Sequence, residues 1–560
     1  MLSIVLSTLT ALPVAPQEPQ PKTTTRMLPL QQLCTPSYSF GSPPWGTLMT
    51  TQSGGRRPNL VMREDRDTAI SAEGVQSALY PFLAPAIDEE LVYLQPIGDN
   101  LLAFGQQDVV QAIERRLGEG AAILARPVQV EFAVWNTDRL PPGTTLTAED
   151  YADFAAGREP NWRAVGTARP GQPIALEHMT WTRYVRGIEV EVAQKIDVSR
   201  PATSRFGEGG HVGVRAYSLI GSDEFALHLQ FAVADQRGGL ITLKTGKQGA
   251  ADIELPLLES YFGTCSGRVG NGGALAITMR GNPAAGGNVV LTLRAHSDAP
   301  KGSLSGGRAA LLPIGALTTS ALDHVTNIPR VDRDPDDTDL TDFDERPVFG
   351  QLPRDQLTEM VESVLGNAED DYTLHLGGGY LFVHASADAI GGVRALLQQL
   401  QDDMIRNVEI EHRASTVGDG SQPMLHELRV PTLLGREANA FRLFETNVVS
   451  DVYVEVAQEA GSLEPRVRLM QSGTWLRSRV VPAGQGLHLD LDVQCTVAPM
   501  PQMRSVMPDG GVLMQARVAS ARVDYQGTVQ VGRTLPHGDG PDLPGGNDRR
   551  RTVLTTTLRR

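Results

Sequence analysis

Residues 100–117 read NLLAFGQQDVVQAIERRL, and residues 380–397 read YLFVHASADAIGGVRALL. The two stretches align without a gap, with Leu101 opposite Leu381 and the other matching positions at the same constant spacing. Similar segments at a fixed spacing are the signature of a duplicated structural unit. The sequence therefore predicts that the chain consists of two tandem copies of one module.

Further segments match in the same order along the chain. They are VQVE at 128–131 with VEIE at 408–411, TRYVRGIEVEVAQ at 182–194 with TNVVSDVYVEVAQ at 446–458, and FALHLQF at 225–231 with LHLDLDV at 487–493. The spacing between the copies shortens after the first of these pairs, which indicates an insertion in the first copy. We place the insertion in residues 138–173, whose Pro-, Gly- and acid-rich composition predicts a loop.

The first copy is predicted to contain a strand, a helix and a second strand. LLAF (101–104) ends the first strand, Asp108 is placed to cap the helix, and Gly118 is placed to end it. Residues 126–135 then alternate apolar and polar side chains, which is typical of a strand with one buried face.

The second copy repeats this order with an additional helix before it. DQLTEMVESVLG (355–366) predicts an amphipathic helix that stops at Gly366. The glycines at 377–379 predict a turn between two strands, because glycine adopts turn conformations without steric cost. Asp388 is predicted to cap a second helix, and VEIEHRA (408–414) to form the closing strand.

A sequence of almost wholly β character follows each unit. Apolar and polar residues alternate there over short runs between Gly-rich turns, which indicates antiparallel sheet. The predicted fold class is α+β, with two tandem copies of a small strand–helix–strand module, each followed by a mainly antiparallel β domain. The predicted boundaries are 1–25 (possible signal peptide), 26–65 (extended lead-in), 66–137 (first α/β module), 174–300 (first β domain), 301–350 (acidic linker), 351–415 (second α/β module) and 425–560 (second β domain).

The charge and hydropathy of the chain exclude several classes of partner. The formal net charge at pH 7 is −15. Phosphate binding needs a basic surface, so nucleic acid is not expected as a partner. No run of about 18 apolar residues occurs, and hence no transmembrane helix is predicted. The apolar residues 1–15 end in small residues before a Pro-rich stretch, which favours a cleaved export signal over a disordered tail or a misassigned start codon.

The segment VDRDPDDTDLTDFDE (331–345) separates the two copies and is strongly acidic. Its first aspartates alternate along the chain, as they do in a calcium-binding loop. An EF-hand loop, however, has Gly at the sixth position and Glu at the twelfth, where this chain has Asp337 and Phe343. We interpret the segment as a solvated linker.

The sequence offers no catalytic, cofactor-binding or metal-ligating residues, and the protein is predicted not to be an enzyme. Cys34, Cys265 and Cys495 lie far apart, and the 11 histidines lack the spacing of a zinc site. Glu131 and Glu411 recur at equivalent places but lie opposite the apolar positions of their strands, so we interpret them as part of a solvated face. Six histidines in or beside predicted strands are interpreted as structural: His211, His228, His375, His384, His412 and His488.

The second copy resembles the small α/β modules of bacterial secretins. LFV (381–383), the cap SAD (386–388) and LLQQL (396–400) stand where that family has a strand, a Ser/Thr-x-x-Asp/Glu cap and a helix ending in Leu-Leu-x-x-Leu. The resemblance continues into the β region, where the family commonly has the pattern Gly-x-x-Leu-x-x-x-Val-x-Pro. The residues of this chain at the matching positions are Gly473, Leu476, Val480 and Pro482.

The resemblance implies a non-enzymatic envelope protein of the periplasm or outer membrane with a role related to protein secretion. It also implies that the protein self-associates through its α/β modules into rings and contacts other envelope proteins. The chain departs from the family in two ways. The α/β-plus-β pair is duplicated, and no clear pair of long amphipathic hairpins is evident in the sequence. Two other functions stay open: an extracellular carbohydrate-active or binding protein with accessory β domains, and a cytoplasmic α+β protein if the N-terminus is not an export signal.

Overall fold

The computed structural model describes most of the chain between residues 22 and 559. The described residues are 22–30, 37–39, 63–65, 74–76, 87, 89–98, 100–124, 127–193, 196–245, 251–281, 287–298, 305–306, 309–318, 352–366, 372–377, 379–417, 424–457, 460–484, 486–497, 502–505, 512–515, 519–540 and 551–559. Residues 1–21 of the expected signal peptide and most of the expected acidic linker, including the candidate calcium loop, therefore lie outside the described residues.

The described chain is mainly antiparallel β. Its strands are β1 Thr23–Pro29, β2 Ser37–Ser39, β3 Arg63–Asp65, β4 Val92–Ile97, β5 Asn100–Gln106, β6 Val128–Asn136, β7 Thr145–Leu146, β8 Trp162–Ala168, β9 Ile174–Ala193, β10 Ile196–Ser218, β11 Glu224–Gln236, β12 Ile241–Thr245, β13 Ala251–Leu255, β14 Leu257–Gly270, β15 Ala274–Gly281, β16 Val289–His296, β17 Ser305–Gly306, β18 Ala309–Pro313, β19 Thr373–Gly377, β20 Tyr380–His384, β21 Asn407–Val417, β22 Met424–Leu433, β23 Glu437–Ala457, β24 Ala460–Ala483, β25 Gly486–Val497, β26 Gln502–Ser505, β27 Val512–Gln515, β28 Ala519–Val529, β29 Thr534–Gly540 and β30 Arg551–Arg559. The helices are α1 Gln107–Leu124, α2 Ala148–Ala155, α3 Gly315–Thr318, α4 Arg354–Leu365 and α5 Ala387–Met404.

Two large sheets pack face to face around one apolar core. The eight-stranded sheet has the order β28-β25-β24-β23-β14-β11-β10-β9, and the nine-stranded sheet has the order β29-β30-β21-β22-β15-β16-β6-β8, with β7 beside β15. Alternate side chains of both sheets meet between them, including Phe132, Phe231, Leu291 and Leu489. Because successive residues of a strand point to opposite faces, each strand contributes every second side chain to this core.

The strands of the two halves of the chain follow one another in the same way. In the eight-stranded sheet, β9-β10-β11-β14 of the first half correspond in order to β23-β24-β25-β28 of the second half. In the nine-stranded sheet, β8-β6-β16-β15 correspond to β22-β21-β30-β29. Short hairpins lie at the same place in both halves, β12–β13 in the first and β26–β27 in the second.

Two long hairpins, β9–β10 and β23–β24, are the features that the sequence reading missed. Their strands are 20, 23, 21 and 24 residues long. Proline and glycine inside them, such as Pro201 and Pro465, interrupt the alternation that identifies a strand in sequence. The structure thus contains two long hairpins where no clear pair of long amphipathic hairpins was evident in the sequence.

These hairpins share two irregularities at equivalent positions. A β-bulge skips Arg186 in the first hairpin and Ser450 in the second. Gly209 and Gly473 both have positive φ, 114° and 138°, and a Cβ at either position would overlap a carbonyl oxygen of the neighbouring strand. Glycine is required at such positions because any side chain would clash.

Each half also contains a small α/β sheet. The first has the order β1-β5-β4 and is covered on one face by α1, while the second has the order β17-β18-β20-β19 and is covered by α4 and α5. Gly366 ends α4 as expected. Ser386, rather than Asp388, is the N-cap of α5, because its hydroxyl accepts a hydrogen bond from the Ala389 N–H.

Several element boundaries differ from the sequence reading. β1 spans the expected boundary between the signal peptide and the lead-in, and it pairs with β5. Helix α1 continues past Gly118, and Asp108 lies in its first turn. The expected loop at 138–173 contains β7, α2 and β8. β18 lies in the expected linker, where it pairs with β20 of the second small sheet.

Candidate functional site: the junction of the halves and the outer edges

The two halves of the chain are joined by edge-to-edge strand pairing. In the eight-stranded sheet β14 pairs with β23, with Leu257 opposite Thr446 at one end and Thr264 opposite Asn439 at the other. In the nine-stranded sheet β15 pairs with β22. In both layers, a strand at the inner edge of the first half thus pairs with a strand at the inner edge of the second half.

One row of directly opposed residues crosses all eight strands of the sheet. In order it is Glu177, His211, Ala232, Phe262, Phe441, Trp475, Gln494 and Arg522. At the junction, the rings of Phe262 and Phe441 stack with their centroids 4.3 Å apart. Trp475 packs against Phe441 at 5.7 Å, so the centre of the row is a buried aromatic cluster.

The row ends in opposite charges at the two outer edges of the sheet. Glu177 lies on β9 and is 49% exposed, and Arg522 lies on β28 and is 50% exposed. Within the described residues, β9 pairs along the sheet with β10 alone and β28 with β25 alone. Arg522 makes a bidentate contact with Asp492 at 3.0 and 2.6 Å, while Glu177 lies 3.5 Å from His211. Both charges can therefore receive a further partner from outside the chain.

A buried ion pair at the junction of β14 and β23 is hydrogen-bonded to the nine-stranded sheet. Arg442 of β23 is 1% exposed, and its Nε donates to Glu259 of β14 at 2.8 Å. Its Nη2 also contacts Glu259, at 2.7 Å, and its Nη1 donates to the carbonyl oxygens of Met279 and Gly287, at 3.1 and 2.9 Å, in the nine-stranded layer. Arg237 also donates to Glu259. A buried guanidinium is tolerated here because its donors have partners on every side.

A second set of buried polar groups lies on the other face of the same strands. Glu445 accepts hydrogen bonds from Ser260 at 2.8 Å and from Gln471 at 2.7 Å. Asn447 donates to the Tyr184 hydroxyl at 2.7 Å, and burial raises the pKa of that tyrosine. These bonds connect strands of both halves, and they fix the register because a shift by one residue would leave the polar groups unpaired.

The nine-stranded sheet carries a ladder of arginine–glutamate pairs across its own junction. Glu427 is fully buried and contacts Arg280 at 3.0 Å and Arg429 at 2.6 Å. Glu411, 2% exposed, contacts Arg559 at 2.7 Å. The interpretation of Glu411 as part of a solvated face was wrong, because the overlying arginine side chains exclude water from it.

Glu131, the counterpart of Glu411 in the first half, is covered in a different way. It pairs with Arg163 at 2.9 Å and lies beside Tyr151 of α2. Helix α2 begins with a capping box between Thr147 and Asp150 and packs Phe154 against Trp135. The sequence places this helix in an insertion, and its Tyr and Phe spacing was the signal available for it.

A hydrogen bond connects this insertion with the second half of the chain. The Thr144 N–H donates to Glu409 of β21 at 3.1 Å. The insertion therefore reaches across the junction of the halves on the outer face of the nine-stranded sheet.

The histidines occupy strand positions in the described structure. Burial lowers the pKa of His412 to about 3 and that of His426 to about 4. His412 contacts the Thr556 hydroxyl at 3.1 Å. The described residues contain no group of three or more His, Cys, Asp or Glu side chains that could hold a metal ion. Cys265 and Cys495 are buried thiols, and Cys34 lies outside the described residues.

Comparison with known proteins yields structural neighbours alone. No family model and no curated protein matches the chain. Similar solved structures include the Vibrio cholerae type IV competence pilus secretin PilQ (12% identity, 36% of this chain and 74% of that one, TM-score 0.19). A chain of the Salmonella SPI-1 type III secretion injectisome basal body is 11% identical over 50% of this chain and 69% of its own, with TM-score 0.21. The Klebsiella pneumoniae type II secretion outer membrane complex of PulD, PulS and PulC contains another, 10% identical over 98% and 76%, with TM-score 0.20.

In the part of the chain that the structure describes, no helix combines the length and apolar character needed to cross a membrane.

Proposed function

We propose that the protein is a non-enzymatic structural component that assembles head to tail with further copies of itself, each chain supplying two tandem copies of one α/β-plus-β module. The observation that carries this proposal is the junction of β14 with β23. It is an edge-to-edge contact between two halves of matching strand order. The same kinds of edge, β28 of the second half and β9 of the first, lie at the two ends of the sheet.

Repetition of the internal junction between chains pairs β28 of one chain with β9 of the next. Such a contact is heterologous, since the two surfaces differ, and it generates a ring when the rotation closes and a helical filament when it does not. Continuing the cross-strand row places Arg522 of one chain opposite Glu177 of the next. Opposite charges facing each other across antiparallel strands stabilise the pair and fix its register.

An envelope location and a role related to protein secretion follow from the sequence resemblance of residues 381–400 to secretin modules. On this proposal the chain is exported to the periplasm or the outer membrane and has other envelope proteins as neighbours. The alternative of a carbohydrate-active enzyme lacks a supporting geometry, because Glu131 and Glu411 are each held by arginine side chains.

Charge reversal at the two outer edges tests the proposed assembly. Arg522→Glu and Glu177→Arg are each expected to raise the dissociation constant of the assembly at least about tenfold, because like charges then face each other. The double variant restores opposite charges and is expected to assemble better than either single variant. Sedimentation velocity and negative-stain imaging of the full-length chain measure the result.

Arg139→Glu is the matched control, since it reverses an exposed arginine in the loop after β6. It is expected to leave the size of the assembly unchanged. A wild-type chain that stays monomeric at all concentrations, in solution and in envelope extracts, would contradict head-to-tail assembly. A double variant that assembles no better than its parents would contradict the pairing of these two residues.

A further inference from the structure

The open face of the first small sheet is apolar and exposed. Met27 of β1, Phe104 of β5 and Tyr93 of β4 are 51%, 50% and 59% exposed. Tyr93 and Phe104 are directly opposite each other, and Met27 is opposite Leu102 on the same face. Helix α1 covers the other face of this sheet. Contiguous exposed apolar side chains of this kind mark a contact surface.

The equivalent face of the second small sheet is covered within the chain. Leu311 of β18 is opposite Phe382 of β20, in the same arrangement as Met27 and Leu102. Leu311 is 3% exposed and Tyr380 is 6% exposed. Both lie in the apolar core of the first module, with Phe382 packed against it.

The covering segment belongs to the helical side of the first module. Val75 and Ile87 lie in the same apolar cluster as Leu311 and Tyr380. Gly74 lies so close to His375 of the second sheet that a Cβ at position 74 would overlap the imidazole ring. The helical side of the first module therefore packs on the open sheet face of the second.

We infer that the open face formed by Met27, Tyr93 and Phe104 binds the α4 side of the second module of another copy of this chain. Residues 74–76 precede β4 in the first module as α4 precedes β19 in the second. Within the chain, this contact uses the helical side of the first module and the sheet face of the second. The α4 side of the second module and the sheet face of the first are therefore available for the same contact between chains.

This inference rests on the proposed head-to-tail assembly. In both contacts, the second half of one chain meets the first half of the next. Within the chain, β14 and the helical side of the first module contact β23 and the sheet face of the second. Between chains, β28 and the α4 side of one copy then contact β9 and the first sheet face of the next. The eight-stranded sheet and the small α/β modules thus contribute to the same interface.

The double variant Tyr93→Asp/Phe104→Asp in the full-length chain tests the contact. Both side chains are half exposed, so the change is expected to leave the fold of the chain intact, which circular dichroism checks. The dissociation constant of the assembly is expected to rise at least about tenfold, because charged groups replace two aromatic contacts. Tyr453→Asp is the control, since Tyr453 is 49% exposed and lies on β23, an interior strand of the eight-stranded sheet.

The outcomes separate this inference from the proposed function. An unchanged assembly of the Tyr93/Phe104 double variant, together with loss of assembly in Arg522→Glu, overturns the sheet-face contact and leaves edge pairing intact. A wild-type chain that never assembles overturns both.

Cysteine cross-linking identifies the surfaces that meet. In a Cys34→Ser background, a chain carrying Phe104→Cys is mixed with a chain carrying Gln356→Cys, an exposed position on α4. Disulfide-linked dimers are expected in the mixture and not in either chain alone. Efficient cross-linking of the Phe104→Cys chain with itself would instead show that two sheet faces pack together, and it would overturn the inference.

Discussion

The Glu259→Ala variant is expected to lose about 3–5 kcal/mol of unfolding free energy, because it leaves a buried guanidinium without its carboxylate. Arg442 would keep the carbonyl oxygens of Met279 and Gly287 as acceptors but lose the carboxylate that balances its charge. Urea unfolding followed by circular dichroism measures the change. Replacing both partners, as in Glu259→Met/Arg442→Met, is expected to cost less than Glu259→Ala alone, since no unpaired charge is then buried.

Glu224→Ala is the matched control for this prediction. Glu224 also accepts from an arginine, Arg268, at 2.8 Å, but its side chain is 34% exposed. Exposed pairs contribute about 0–1 kcal/mol, so this variant is expected to shift the transition little. If Glu259→Ala costs no more than Glu224→Ala, the buried pair does not hold the two sheets together.

Acid is expected to destabilise the protein by about 4 kcal/mol between pH 7 and pH 5 through His412 and His426 alone. Burial, the largest cause, lowers their pKa values to about 3 and about 4, so both imidazoles are neutral in the folded chain. In the unfolded chain each binds a proton near pH 6.5. The unfolded state therefore binds more protons below that pH, and the stability present above it is lost as the pH falls towards the folded pKa values.

The His412→Leu variant isolates one of the two contributions. Between pH 7 and pH 5, the loss of unfolding free energy that comes from these two histidines is expected to be about half as large in the variant as in the wild-type chain. Urea transitions of both proteins at pH 7, 6 and 5 give the comparison. An identical pH dependence in the variant would show that His412 binds its proton equally well in the folded and unfolded states.

The sequence predicts the local elements of the fold, such as helix ends and turns, but not the length of the long strands. The helix stop at Gly366 and the turn before Tyr380 depend on neighbouring residues, and local sequence predicts them. The long hairpins depend on pairing across Pro201 and Pro465, where the alternation of side chains is broken. The bulge and positive-φ glycines that accommodate these interruptions become visible only with the partner strand in place.

The candidate site was missed because its chemistry arises from pairing between distant strands. Glu177 and Arg522 are unremarkable charged positions in sequence, and only the register across eight strands places them at the two ends of one row. Glu411 follows the polar pattern of a solvated strand, yet arginines from neighbouring strands bury it. Burial of a charge by long side chains leaves no signature in the periodicity of its own strand.

The junction of β14 with β23 determines how many α/β-plus-β units a closed ring of this protein can contain. A chain that joins two halves by its own peptide backbone adds two units to an assembly at a time, so a closed ring contains an even number of units. Its true rotational symmetry is then half of the symmetry that low-resolution images suggest. In the proposed ring, a stacked aromatic pair inside each chain alternates with an arginine–glutamate pair between chains, so added salt is expected to weaken every second contact and to release whole chains.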